Sequence, residues 1–370
     1  MSRWCLIVAL FAMSSAWSQP APDTSGTNPT APAAADGACA NNETKSGDTT
    51  QSATELQQDQ RDLIERLSSS NDPRKLLAAA LSADTLELST NTHAPTSLTA
   101  EALLIRAQQV GPSDPQVWWI SAMKETGDGL NHSHEQAIQR LIQIVPDNAA
   151  VWLLELDRAN RAEDPIAGRL AIEHAARAKY FDDYVMAIAS TQLRADTSSP
   201  THRADATDVS DLSKASVQRA KDMAVGFGMS LTFANQSYLP LMRYCDPKLM
   251  APADTQLRLD CVATGKLMGD SASSLISTVI GLRLQHRLAN NQAETAMLEQ
   301  QRRNIDWLLY SSSKAISIVP SDRQAQLVLN GQGEIERTKT LVSEAGLPLE
   351  PPADWKSSRE TQAEAPATTE

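Results

Sequence analysis

The chain has 370 residues, of which 41% are apolar and only 4% aromatic. This length and apolar content permit a sizeable core built from Leu, Ala, Ile, Val and Met, and the good helix formers among them favour helices over sheets. The 33 Lys and Arg residues against 45 Asp and Glu residues give a net charge of −12, with no dense basic run. Such a chain repels a phosphate backbone, which argues against nucleic-acid binding.

The first 18 residues have the three parts of a secretory signal peptide. Arg3 supplies a positive charge, residues 4–13 are an apolar run, and Ala16 and Ser18 are small residues at the positions that a signal peptidase reads. The run is too short to span a bilayer, which needs about 20 residues, and no later stretch approaches that length. We therefore expect a cleaved leader and an exported chain, periplasmic or secreted, with no integral membrane segment. An uncleaved membrane anchor is the alternative.

Residues 19–52 and residues 350–370 are predicted to be disordered, because neither stretch buries enough apolar surface to offset the entropy of ordering. Residues 19–52 contain no large apolar side chain, and residues 350–370 contain only Trp355. The predicted segments are a signal peptide at 1–18, a disordered linker at 19–52, a helical region at 53–194, a polar linker at 195–208, a second helical region at 209–349 and a disordered tail at 350–370.

Apolar residues recur with helical spacing through the folded part, and no stretch alternates as a strand requires. Asp72 and Pro73 form the cap and first-turn pattern that opens a helix. On either side of residues 98–194, helices are predicted at 54–67, 72–81, 210–229, 233–243, 255–268, 271–288, 292–318 and 322–344. The sequence therefore predicts an all-α fold.

Residues 98–194 contain a pattern that recurs every 34 residues. Val117, Val151 and Val185 are each 34 apart and follow Asp-containing segments. The helices that precede them keep the same step: Leu103 with Ala137 and Ala171, Ala107 with Leu141 and Ala175, and Val110 with Ile144 and Ala178. In each copy these positions share one helix face, so each unit is predicted to contain two helices.

This period resembles the tetratricopeptide repeat (TPR), in which a large residue near the start of the first helix precedes a closing Pro by 28 residues. Trp118 and Pro146 have that spacing, and Trp152 and Tyr180 have it without the Pro. The small residues of the family are partly replaced, since Leu156 stands at one such position. The resemblance covers about a quarter of the chain and implies a degenerate, TPR-like α-solenoid of stacked helical hairpins.

The TPR resemblance also implies a concave groove lined by the first helix of each unit. The predicted partner-binding residues are Gln116, Trp119, Met123, Leu153 and Asp157. Trp119 is the strongest candidate because Trp side chains dominate the energetics of many interfaces. The alternative is that Trp119 packs beneath the preceding helices.

Cys245 and Cys261 enclose fifteen residues that form a turn between two predicted helices. A disulfide between them is worth about 3 kcal/mol in the loop-entropy model, and an oxidising compartment would permit it. The alternative is a pair of buried free thiols. Cys39 would then be the odd cysteine of the exported chain, either free or bonded to another chain.

Partial matches to catalytic motifs are present but incomplete. Ser311 and Lys314 match the S-x-x-K pattern of penicillin-binding enzymes, without the companion motifs. His134 begins an H-E-x-x-H zinc pattern in which Ile138 replaces the second His. The sequence therefore predicts no catalytic residue, no metal site and no cofactor.

These patterns favour a non-enzymatic scaffold or adaptor that binds a protein or peptide partner in the bacterial cell envelope. One alternative is an envelope enzyme, or its accessory subunit, that acts on cell-wall material with catalytic residues gathered only by the fold. Another is a self-assembling component joined through Cys39.

Overall fold

The computed structural model describes residues 53–90, 98–123, 132–197, 238–251 and 253–357. Within these ranges the chain is helical and contains no strand, which confirms the predicted all-α class. The helices are α1 Ala53–Ser68, α2 Pro73–Thr90, α3 Ala100–Val110, α4 Pro115–Met123, α5 His132–Ile144, α6 Ala149–Arg161, α7 Pro165–Arg177, α8 Val185–Thr197, α9 Thr255–Ser271, α10 Leu275–Leu288, α11 Gln292–Ile318, α12 Ser321–Leu329 and α13 Glu334–Glu344. A further helical segment covers residues 238–244.

Several predictions fall outside the described residues. They are the signal peptide at 1–18, the linker at 19–52 with Cys39, the linker after residue 197, the helix at 210–229 and the tail after residue 357. In the part of the chain that is described, no helix is both long and apolar enough to cross a membrane.

Helices that are neighbours in the chain pack against each other. The pairs are α1 with α2, α2 with α3, α4 with α5, α6 with α7, and α9 with α10. Helix α7 also packs on α9, and α11 packs on α10 and α13. Helix α8 contacts both α2 and α12, so it connects the early helices to the late ones.

Three Asp or Asn side chains 34 residues apart make the same local hydrogen bond. Asp114, Asn148 and Asp182 each accept a hydrogen bond from the backbone N–H two residues later, at 2.9, 3.1 and 2.9 Å. Asp114 and Asn148 directly precede α4 and α6, so each satisfies a backbone donor that its helix leaves unpaired. Asp182 lies three residues before α8, so its bond holds the loop that leads into that helix.

Two half-buried tryptophans also form equivalent contacts. The indole N–H of Trp118 donates to the carbonyl of Pro112 at 3.0 Å, and that of Trp152 donates to the carbonyl of Pro146 at 2.8 Å. His174 stacks on Trp152 with ring centroids 4.2 Å apart. Each indole therefore holds the turn that precedes its own helix.

The core of the repeat region uses most of the positions predicted from the period, but Val110 is exposed. Val117 and Val151 are wholly buried, as are the small residues Ala107 and Ala137 on the preceding helices. A separate apolar cluster joins α11, α12 and α13. A third, smaller cluster lies between α8 and α12.

Several predicted boundaries need correction. Helix α9 continues to Ser271 rather than ending at residue 268, and α10 begins at Leu275 rather than at residue 271. The helix predicted at 322–344 is two helices, because Gly331 has a φ of 72° and ends the first of them. The helix predicted at 72–81 continues to Thr90, and α8 continues to Thr197, beyond the predicted start of the linker at residue 195. Buried side chains such as Leu86 and Ala195 explain both extensions, since they add apolar contacts that local polarity does not show.

Helices α9 and α10 cross at unusually short range because glycines stand at the crossing. A Cβ atom added to Gly281 would lie 2.5 Å from the backbone nitrogen of Gly269 and 2.7 Å from the carbonyl oxygen of Gly265. Gln285 on α10 donates to that same carbonyl at 3.1 Å. A larger residue at position 281 would push the two helices apart.

The predicted disulfide between Cys245 and Cys261 is present in the structure, with the two Cα atoms 5.7 Å apart. Cys245 follows the helical segment 238–244, and Cys261 lies within α9. Both side chains are wholly buried. The bond therefore fastens the segment that precedes α9 to the body of that helix.

Candidate functional site

All five residues predicted to line a groove are buried, with 1% to 8% of their surface exposed: Gln116, Trp119, Met123, Leu153 and Asp157. Thr191 on α8 donates to the side-chain oxygen of Gln116 at 2.9 Å. The ring of Trp119 lies 5.4 Å from that of Tyr184, just before α8. Trp119 thus packs against one of the chain's own later residues. A partner would reach these buried side chains only after neighbouring elements moved, so their binding role stays a prediction.

Polar contacts on both sides fix α8 in this position. Gln192 donates to Ser82 on α2 at 2.8 Å. Arg194 donates to the carbonyl of Leu329 at the end of α12, at 2.7 Å. Helix α8 is therefore part of the internal packing and not a peripheral cover.

A largely buried cluster of polar side chains lies where three loops meet the segment 238–244. We call it the serine–carboxylate junction. It comprises Asp182, Asp183, Tyr238, Ser273, Ser274, Ser277 and Glu334. The two aspartates precede α8, the first two serines precede α10, and Glu334 is the first residue of α13.

Asp183 is the centre of the junction. One of its carboxylate oxygens accepts hydrogen bonds from the hydroxyls of Ser274 and, at 2.6 Å, Ser277. The other accepts from the hydroxyl of Ser273 at 3.1 Å. The phenol oxygen of Tyr238 lies 2.6 Å from that of Ser277. A buried carboxylate is costly unless hydrogen bonds replace its hydration, and these donors supply them.

The loop that carries Asp183 is held by Asn148 from the preceding repeat copy. The amide of Asn148 donates to the carbonyl of Asp182 at 2.8 Å, and its side-chain oxygen accepts from the backbone N–H of Asp182 at 2.9 Å. The next residue but one, Tyr184, has a φ of 57°. A non-glycine residue in this left-handed region costs on the order of 1 kcal/mol, so neighbouring bonds must hold it there.

Glu334 joins α13 to the start of α10 through two reciprocal hydrogen bonds. Its carboxylate accepts from the backbone N–H of Leu275 at 2.7 Å, and its own backbone N–H donates to the carbonyl of Ser273 at 2.8 Å. Only 4% of its surface is exposed. Burial raises the pKa of Glu334 to about 7, against the opposing effects of the Leu275 bond and of Arg337.

Burial also shifts other groups near the junction. It raises the pKa of Asp182, against the hydrogen bonds from Tyr184 and Ser273. It raises the pKa of Tyr238 well above the ordinary value, and it lowers the pKa of Arg337 on α13. These directions agree in disfavouring charge, which is the behaviour of groups held away from water.

In the junction, the hydroxyls of Ser274 and Ser277 are buried and donate to Asp183. Elsewhere, Ser311 is buried, while the ammonium of Lys314 lies 4.4 Å from the centre of the Tyr310 ring. Among the described residues, no group of three or more His, Cys, Asp or Glu side chains could hold a metal ion.

Only Asp182 in this junction follows a pattern visible in the sequence, because it belongs to the third copy of the repeat. Ser274 is the N-cap of α10, within a helix that the sequence predicts to begin at residue 271. Nothing local relates Asp183 to serines some ninety residues later, because their meeting depends on how α8 and α10 pack. Comparisons of the chain with protein families, with curated proteins and with solved structures give no match.

Proposed function

We propose that this chain is an exported, non-enzymatic scaffold or adaptor that binds a protein or peptide partner in the bacterial cell envelope. The observation that carries the proposal is the 34-residue step shared by the local hydrogen bonds of Asp114, Asn148 and Asp182. It supports a TPR-like arrangement in which each unit contributes two helices. Such units bury their apolar faces by stacking and leave extended surfaces for partners.

The cysteine chemistry supports export. The disulfide between Cys245 and Cys261 is buried in the fold, and structural disulfides persist mainly in oxidising compartments. The signal-peptide pattern at residues 1–18 is consistent with the same location. Mass spectrometry of the chain purified from its native cells would test this, since cleavage after Ser18 gives a mature chain that begins at Gln19.

Two surfaces are candidates for binding a partner, and they differ in whether the fold must move to expose them. The predicted groove residues Gln116 and Trp119 are buried and contact Thr191 and Tyr184, so a partner reaches them only if these neighbours move. The outer face of α7 needs no movement, because Ile166 and Leu170, one turn apart, are 74% and 48% exposed. Exposed apolar side chains that adjoin one another on a helix are typical of docking surfaces.

Site-specific crosslinking in cells tests the proposal. A photo-crosslinking amino acid is placed at position 166 in one variant and at position 119 in another, and crosslinked proteins are identified by mass spectrometry. A small reproducible set of partners supports an adaptor, and the position that captures them identifies the surface. If neither position captures a partner above the background of an exposed control position such as Glu336, the adaptor proposal fails.

A further inference from the structure

Two carboxylates from distant parts of the chain converge on the first turn of α10. Asp183 reaches it through the hydroxyls of Ser274 and Ser277, and Glu334 reaches it through the backbone N–H of Leu275. The first turn of a helix is a favourable place for negative charge, since its N–H groups carry partial positive charge. Two buried carboxylates at one helix end nevertheless repel each other, so their combined charge depends on whether a proton is bound.

The groups that face Glu334 determine how its carboxyl group responds to pH. From the loop before α8 comes Asp183, which itself neighbours Asp182 and Tyr238. On α13 itself the facing charge is Arg337. Helix α11 meets α13 through apolar side chains, and α12 meets it through the ion pair of Arg323 with Glu344 at the far end of α13. Asp183 is the negative charge that acts on Glu334 and Arg337 the positive one.

We propose that Glu334 is a proton-operated latch between α13 and α10, closed when its carboxyl group is protonated and loosened when it is ionised. The two reciprocal hydrogen bonds to Ser273 and Leu275 form the latch. An ionised Glu334 places a second negative charge in a site that already holds Asp183 and excludes water. Loosening there releases the first turns of α10 and α13 from each other.

The direction of the pH response follows from the binding of the proton. The pKa of Glu334 is raised from 4.5 to about 7 in the closed junction, chiefly by burial. The closed form therefore holds the proton more tightly than an opened form, in which the carboxyl group is hydrated. Closure is favoured at low pH and weakens as the pH rises towards the pKa of the closed form. Proton linkage with these values raises the opening constant about tenfold between pH 6 and pH 8.

Hydrogen exchange of the full mature chain, measured between pH 5.5 and pH 8.5, tests the latch. After correction for intrinsic exchange rates, the protection of the amides at 275–278 and 334–338 is expected to fall about tenfold from pH 6 to pH 8 in the wild type. In Glu334→Gln the protection is expected to be independent of pH. Glu336→Gln is the matched control, because Glu336 stands in the same helical turn but is exposed and pairs with Lys339.

A second variant keeps the test decisive if Glu334→Gln does not fold. Removing the positive charge in Arg337→Gln raises the pKa of Glu334 in the closed junction further, so the loss of protection is expected to continue to a higher pH than in the wild type. Equal wild-type protection at pH 6 and pH 8 would overturn the latch, as would an unchanged pH response in Glu334→Gln. The result does not depend on any partner, so it stands or falls separately from the adaptor proposal.

Discussion

The repeat region and the helices after residue 253 are stabilised in different ways. From α3 to α8, stability comes from the same few contacts made repeatedly: a polar cap, an indole bonded to a carbonyl and small apolar residues on one face. From α9 to α13 it comes from features that occur once, namely a glycine crossing, a disulfide and the serine–carboxylate junction.

This difference predicts where the chain tolerates substitution. When equivalent contacts recur along the chain, the loss of one lowers the free energy of unfolding only by that contact's own contribution, as in repeat arrays. A contact without a counterpart positions whole helices, so its loss also disturbs the elements that it joins. Substitutions around α9 and α10 should therefore lower the free energy of unfolding more than substitutions at the repeated contacts do.

The largest effect is expected for Gly281→Ala. The added Cβ atom meets backbone atoms of α9 at 2.5 and 2.7 Å, which cannot rotate away as a side chain could. Overpacking of this kind costs roughly 3 kcal/mol in the free energy of unfolding, measured by urea denaturation. The control is Gly333→Ala, whose Cβ atom would have 3.6 Å to its nearest neighbour. Comparable losses in both variants would show that the glycine crossing is not special.

The next largest effect is expected when the disulfide is removed. In the double variant Cys245→Ala with Cys261→Ala, the free energy of unfolding is expected to fall by about 3 kcal/mol, because the unfolded chain loses its cross-link. Reductant added to the wild type during unfolding should reproduce most of that loss, and reductant added to the double variant should do nothing. A wild type that is insensitive to reductant, together with a fully stable double variant, would contradict the assignment.

The sequence revealed the repeated features and one feature that occurs once, the disulfide, but it did not reveal the glycine crossing or the serine–carboxylate junction. The 34-residue step from Val117 to Val151 is visible because similar residues begin α4 and α6 and pack each helix against its neighbours. Helix α11 was predicted with the observed ends because its cap and apolar spacing are local. The leading interpretation of the sequence did not place Trp119 in the core. Its contact with Tyr184 depends on the tertiary position of the segment before α8, which the local sequence does not determine.

Asn148 and Asp114 occupy equivalent positions but differ in their surroundings, and this makes them a sharper test of the comparison. Asp114 caps its helix and pairs with the exposed Arg74 at 3.0 Å. Asn148 caps its helix, is wholly buried and also holds both backbone groups of Asp182. We expect Asp114→Ala to cost about 1 kcal/mol, as a lost cap does, and Asn148→Ala to cost about twice as much, since buried groups are left unpaired. Equal losses would mean that Asn148 contributes only its cap.

The smallest effects are expected at the two bonded indoles, where the repeat makes its most specific prediction. Trp118→Phe and Trp152→Phe each remove one hydrogen bond, to the carbonyls of Pro112 and Pro146, and keep most of the apolar contact. Each should lower the free energy of unfolding by about 1 kcal/mol. Because the two bonds are equivalent and distant in sequence, the losses should match and should add in the double variant. A markedly larger loss of stability at Trp152 would be assigned to the stacking of its ring on His174. In the first copy Arg140 stands at the position of His174, and it donates to the carbonyl of Pro112, which also accepts from Trp118.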